Sequence, residues 1–293
     1  MIKKKLKEIY KRLGFTSKHE IDTKEHFISN GMIPWSRGYK EYKTFKINES
    51  ISDTNFLKEL KKGDLPTGYG YRIDERIVEY PWIFSNLSHE QQQLLDAGST
   101  FNFDFVVNHP KIKNKKLTIF TYAPEDNCFF NKGISYIYGD LRALPFRDNY
   151  FDTIVSQSTI EHIDMDNSIY GYDINHHNDD TKKSYSYLVA VQEMLRTLKN
   201  KGELLITFPY GKFEHHGFFQ QFDEEMLNKL LTLFDGIGTY DCRFFLYKED
   251  GWIIANQNDL KNSVSYNPHT GKGKLDDNAA HCRSVACLKF IKN

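Results

Sequence analysis

The sequence predicts an α/β fold: a seven-stranded, mostly parallel sheet with helices on both faces and an antiparallel last strand. Three observations carry that expectation. Five short apolar runs, at 93–97, 116–121, 134–138, 151–156 and 204–208, are separated by gaps that leave room for crossover helices. Several of them run into polar or turn residues, namely Asp96 with Gly98, Gly139 with Asp140, and Ser156. A final run at 285–291 alternates weakly after a hairpin-like pair at 240–247 and 252–255, with a turn at Glu249-Asp250-Gly251 between them. In parallel sheets of this kind, ligands sit at the carboxyl ends of the strands, so those polar residues converge on one crevice.

Composition narrows the function classes. The chain has 293 residues, 40% hydrophobic and 27% charged, as an ordinary globular protein does. Formal net charge is zero, so no overall field draws it to nucleic acid or to a membrane. Cys128, Cys242, Cys282 and Cys287 form no CxxC pair and have no metal-ligand spacing, which reads as reduced thiols in a cytoplasmic protein. No apolar run reaches transmembrane length, and the basic start leads into no signal-peptide core.

In chain order, Ile2, Leu6, Ile9, Tyr10 and Leu13 make a helical stripe among lysines, suited to a membrane surface or to packing on the protein itself. Residues 14–70 are mixed and polar, broken by Gly31, Pro34, Gly38, Gly63 and Pro66, and read as an irregular extension or lid. The expected organisation is therefore a helical or irregular N-terminal extension or lid over 1–75 and one α/β domain over 76–293. Arg76, Glu79 and Trp82 stand just ahead of the first strand and suit a surface helix with an Arg–Glu pair and a buried Trp. After that strand, Gly98 is followed by Thr100 and Asn102 rather than by further glycines, so no G-x-G-x-x-G is present. A side chain at Thr100 limits how closely a pyrophosphate can approach, which argues against a dinucleotide. The insertion from Asp164 to Lys183 carries Asp164, Asp166, Asp173, His176, His177, Asp179 and Asp180, a polar set without recognisable ligand spacing, so no metal is expected there. Ser186 to Leu198 reads as a helix, and Asp223 caps another over 224–234. Residues 256–280 form a polar loop.

The ordered set Leu95-Asp96-Ala97-Gly98-Ser99, Gly139-Asp140-Leu141 with Leu144-Pro145-Phe146, Phe151 to Ser156 and Ile160-Glu161-His162 resembles the class I S-adenosylmethionine-dependent methyltransferases, over roughly residues 90–290. The resemblance implies a Rossmann-like sheet and S-adenosylmethionine as cofactor. It implies that Arg76 and Glu79 meet the cofactor's carboxylate and ammonium. Asp96, Ala97, Gly98, Ser99, Ser156 and Gln157 then lie at the cofactor end of the sheet. Asp140 accepts from the adenine amino group, unless it only caps its turn, and Leu141 packs on the ring. The acid that usually ends the second strand is missing, since that strand ends Thr121-Tyr122-Ala123-Pro124; Tyr122 or Glu125 takes the ribose. His162 is the expected base, with Glu161 pointing elsewhere, and His216 is its competitor. The stretches Val78-Glu79-Tyr80-Pro81-Trp82 and His216-Gly217-Phe218-Phe219-Gln220-Gln221-Phe222 look like methyltransferases of surface-polysaccharide biosynthesis, whose acceptors are sugars, nucleotide sugars or attached phosphate-type groups. A nicotinamide-dependent oxidoreductase and an inactive cofactor-binding module are the alternatives.

Overall fold

A computed structural model describes residues 18–170 and 182–293. The basic stripe at 2–13 and Asp173, His176, His177, Asp179 and Asp180 of the polar insertion lie outside the described residues. The segment expected to be irregular forms three helices, α1 (Lys18–Ser29), α2 (Tyr39–Ser52) and α3 (Thr54–Lys62). The breakers fall between or after these helices rather than within them. Asp53 caps α3 by accepting from the Asn55 and Phe56 amides, and Gly63 ends it in the left-handed region at φ 106°. Helix α4 (Arg76–Asn86) is buried at every position from Ile77 to Ser85. An all-round buried helix belongs to the interior, so α4 is no surface helix.

The strands are β1 (Gln93–Ala97), β2 (Lys116–Thr121), β3 (Ser135–Tyr138), β4 (Phe151–Gln157), β5 (Leu198–Pro209), a small pair β6 (Glu214–His215) and β7 (Gln220–Gln221), then β8 (Gly238–Lys248), β9 (Gly251–Ala255) and β10 (Ser284–Lys292). The main sheet runs β3-β2-β1-β4-β5-β10-β8-β9. Strand β1 is parallel to β2 and β4, with Leu95 opposite Thr118 and Ile154. The antiparallel last strand is β10, which pairs Leu288 with Ile206 of β5 and with Cys242 of β8. The sheet has eight strands rather than seven, because the β8–β9 hairpin continues it through Phe245 opposite Ile254.

Two cores follow from the strand's period of two. Leu94, Val155, Leu205 and Val285 face one cluster with Ile47, Leu57, Ile77 and Trp82 of α2, α3 and α4. Leu95, Ile154, Leu204 and Ala286 face the other, with Met194 of α5 (Tyr187–Thr197) and Met226 of α6 (Glu224–Thr232). Each large side chain buried this way contributes about 1.5–3 kcal/mol. Between β1 and β2 there are only two one-turn helices, Asp104–Val107 and Pro110–Lys113. The connections after β2 and β3 carry no α-helix, so the carboxyl ends of β1–β4 are framed by loops. No described helix is long and apolar enough to cross a membrane.

Candidate active site

A cavity of about 290 Å³ lies where β1–β4 end. Its floor is the turn after β1. Gly98 sits at φ 130°, and a Cβ there would come within 2.0 Å of the Thr159 hydroxyl oxygen, so only glycine fits. Ser99 beside it is also left-handed, at φ 63°. Asp96 is fully buried and turns into this loop, where it accepts from the Phe101 amide at 2.7 Å and from the Thr100 amide and hydroxyl at 3.2 and 3.1 Å. Thr100, the residue in a glycine's usual place, thus ties the loop to Asp96. Burial pushes the Asp96 carboxyl up to about 7 against those hydrogen bonds.

Gly98, Ser99, Tyr122, Leu141, Arg76 and His162 line the cavity. Glu125 joins them from four residues beyond the end of β2. Ser99 donates to its carboxylate at 2.7 Å, Asn102 at 2.8 Å and Thr121 at 3.3 Å, which fixes an acid where the strand end itself has none. Ala97, Ser156 and Gln157 are fully buried beneath the cavity and do not line it. Asp140 stands just outside, half-exposed, held by the Arg142 amide at 2.8 Å and its guanidinium at 2.6 Å. Burial raises this carboxyl, and the Arg142 hydrogen bonds more than offset it, leaving it below the ordinary range.

Glu79 points beneath the cavity and away from it. Its carboxylate is fully buried and accepts from Arg76 at 3.0 Å, Ser158 at 2.5 Å, Thr207 at 2.7 Å and Gln157 at 3.4 Å. It therefore anchors Arg76 and the loop after β4, and Arg76 is the member of that pair with access to the cavity.

A second cavity of about 160 Å³ shares Arg76, Ser158, His162 and Tyr170 with the first. Its other walls come from far apart in the chain: Trp35, Asp74 and Glu75 on one side, Phe218, His269 and His281 on the other. Glu161 lines it too, contrary to the expectation that this residue points elsewhere. Its Oε2 is buried with no hydrogen-bond partner, and burial raises its carboxyl well above the ordinary range.

His162 stands between the cavities. Its Nδ1 lies 2.6 Å from the Phe218 carbonyl, which only accepts, so Nδ1 carries the proton and Nε2 keeps a lone pair. Burial pushes the imidazole down to about 4 against that hydrogen bond. Such a group stabilises the fold above pH ~6.5, its unfolded value, and loses that contribution as pH falls toward 4, because only the unfolded chain then takes the proton readily. We therefore expect the unfolding free energy of the natural chain to fall relative to that of His162→Asn between pH 6.5 and 4. Parallel denaturation curves at each pH check this, and a constant difference would contradict it. His216 lines neither cavity. It stacks on Phe219 at 4.6 Å and lies 3.1 Å from Glu214, because the β6–β7 pair turns at Gly217 and carries Phe218 and Phe219 forward.

Residues 119–206 match a protein family described as a methyltransferase domain. The match runs from β2 to β5 and includes Gly139-Asp140-Leu141 and Ser156 to His162, but not the turn after β1. No curated protein matches the chain. Among solved structures, the chain is similar to an S-adenosylmethionine-dependent methyltransferase from Thermotoga maritima, with 14% identity over 93% of this chain and 99% of that one, and a TM-score of 0.42. It is also similar to a 1,6-didemethyltoxoflavin-N1-methyltransferase from Burkholderia thailandensis, solved with 1,6-didemethyltoxoflavin and S-adenosylhomocysteine, with 12% identity, 72% and 81% coverage and a TM-score of 0.40. An N-methyltransferase from Bradyrhizobium japonicum shows 14% identity, 70% and 89% coverage and a TM-score of 0.38.

Proposed function

We propose that this chain is an S-adenosylmethionine-dependent methyltransferase that methylates an oxygen of a small hydroxylated acceptor. One observation carries the reading: His162, uncharged and with its Nε2 lone pair free of the Phe218 bond, is shared by a strand-end cavity and a smaller neighbour. The larger cavity is the donor site and the smaller one the acceptor site.

The residues present fit the cofactor. Glu125 suits two ribose hydroxyls, and Tyr122 with Leu141 suits the adenine ring. Arg76 offers its guanidinium to the methionine carboxylate. Gly98 lets the turn after β1 pack directly on Thr159, another residue of the cavity wall. Bound there, S-adenosylmethionine supplies a methyl group on a positively charged sulfur, a donor that needs alignment more than activation. The protein's own work is then to orient the acceptor and take its proton. His162 takes that proton at Nε2 as the acceptor oxygen gains the methyl group. Its depressed basicity keeps the imidazole uncharged at neutral pH. Glu161 supplies a buried hydrogen-bonding partner for a hydroxyl on the acceptor.

A sugar-type acceptor suits the smaller cavity best, in keeping with the likeness to surface-polysaccharide enzymes. Trp35, Tyr170 and Phe218 offer ring faces, while Asp74 and Glu161 offer carboxyl groups to hydroxyls. The chemistry suits the cytoplasm, where buried Cys282 and Cys287 stay reduced. The test is transfer of labelled methyl from S-adenosylmethionine to a panel of sugars and nucleotide sugars, with amines as the contrasting panel. Label on a sugar hydroxyl supports the reading; label on amines alone overturns it.

Asp140 is the adenine-side residue in this reading. Asp140→Ala should weaken S-adenosylmethionine binding by about 1–3 kcal/mol in calorimetry. An unchanged affinity would make Asp140 a turn residue that pairs with Arg142 and Tyr122 and not with the cofactor.

A further inference from the structure

At the wall of the smaller cavity, three side chains of different chemistry meet. Glu75 precedes α4, while His281 and Cys282 precede β10, so the meeting joins segments about two hundred positions apart. The Glu75 carboxylate lies 3.1 Å from His281 Nδ1, and Cys282 Sγ lies 3.0 Å from the same nitrogen. One ligand atom from each residue falls within 4.8 Å of the others. Glu75 and Cys282 are buried and His281 nearly so. Cys282 has no disulfide partner.

We propose that Glu75, His281 and Cys282 form a binding site for a single divalent cation of the Zn²⁺ class, with its fourth position open to the smaller cavity. Carboxylate, imidazole and thiolate are the three donor types that zinc takes, and three protein ligands with one open position is its arrangement where it meets small molecules. Zinc–nitrogen and zinc–sulfur bonds at a tetrahedral angle separate those two donors by about 3.5 Å. The present 3.0 Å between Nδ1 and Sγ is therefore short by about half an ångström, a shift that side-chain rotation supplies. Charge balances as well. The ion meets one carboxylate and one thiolate, whereas Arg76 next to Glu75 is already paired with Glu79. On binding, Cys282 releases its proton to solvent, and the His281 proton sits on Nε2 so that Nδ1 can ligate. Both Glu75 and His281 line the smaller cavity and Cys282 lies behind them, which leaves the open position on the cavity side for water or an oxygen of a bound molecule.

The test uses the full chain carrying Cys128→Ser, so that its exposed thiol does not compete. After dialysis against Zn²⁺ and then against metal-free buffer, plasma mass spectrometry should find one equivalent of zinc. Loading with Co²⁺ should give a sulfur-to-metal charge-transfer band in the near ultraviolet. Glu75→Gln should weaken metal binding at least about tenfold, and Cys282→Ser should abolish the band. Melting curves in chelator, matched across the variants, show that they fold. Substoichiometric zinc in the parent chain, or a band that survives Cys282→Ser in a folded variant, overturns the proposal. This outcome is independent of methyl transfer, because it reads metal content alone.

Discussion

Replacing Glu79 with alanine is expected to destabilise the fold by about 3–5 kcal/mol, the cost of leaving a buried charge and its partners without their counterpart. Four donors from three parts of the chain converge on this carboxylate: Arg76 on α4, Gln157 at the end of β4 with Ser158 just after it, and Thr207 on β5. Its loss leaves the Arg76 guanidinium unbalanced and two buried hydroxyls short of an acceptor. Glu79→Gln keeps an oxygen for Ser158 or Thr207 and loses only the charge, so it should fall between the parent and the alanine variant. Urea denaturation with an unchanged slope gives the values directly. A loss near that of an ordinary surface substitution, about 0.5 kcal/mol, would mean that the network is not what holds α4 under the cavities.

His162→Ala is expected to lower methyl-transfer turnover by roughly 10²–10⁴ while leaving cofactor affinity intact, the signature of a lost proton acceptor. The Phe218 carbonyl fixes the proton on Nδ1, and Nε2 is the nitrogen left for the acceptor. Because the ring is buried, His162→Gln is the companion variant, filling more of the space without offering a base. His216→Ala should retain turnover, since His216 sits behind Phe219 and lines neither cavity. The reverse pattern, full turnover in both His162 variants and loss in His216→Ala, moves the base to His216. Activity in all of them would mean that alignment alone carries the reaction.

Much of the sheet was legible because its signals are local. The runs at 93–97 and 116–121 are strands at those very bounds, and 285–291 lies within the antiparallel β10. Period-two burial writes itself into any stretch that feeds two cores. The bounds of the three N-terminal helices were not legible, because α1 and α2 carry little apolar periodicity and only α3 has a marked apolar face. The role of Glu79 was hidden for a different reason. A charged residue on a helix reads as surface, and its four partners lie at one neighbouring and three remote positions. The smaller cavity is the extreme case: Trp35, Glu161, Phe218 and His281 share no spacing, and only the folded chain brings them together. Glu125 lies between these cases. It was visible as an acid near the second strand's end, but its return to the cavity depends on Ser99 and Asn102 from the turn after β1.

The central claim is that the cavity at the ends of β1–β4 holds S-adenosylmethionine. Isothermal titration of the full chain with S-adenosylmethionine, with its demethylated product and with NAD tests it most directly. One site of micromolar affinity, about −8 kcal/mol, is expected for S-adenosylmethionine or its product, with no measurable heat for NAD. Binding of NAD at that strength, with neither sulfur compound bound, would contradict it.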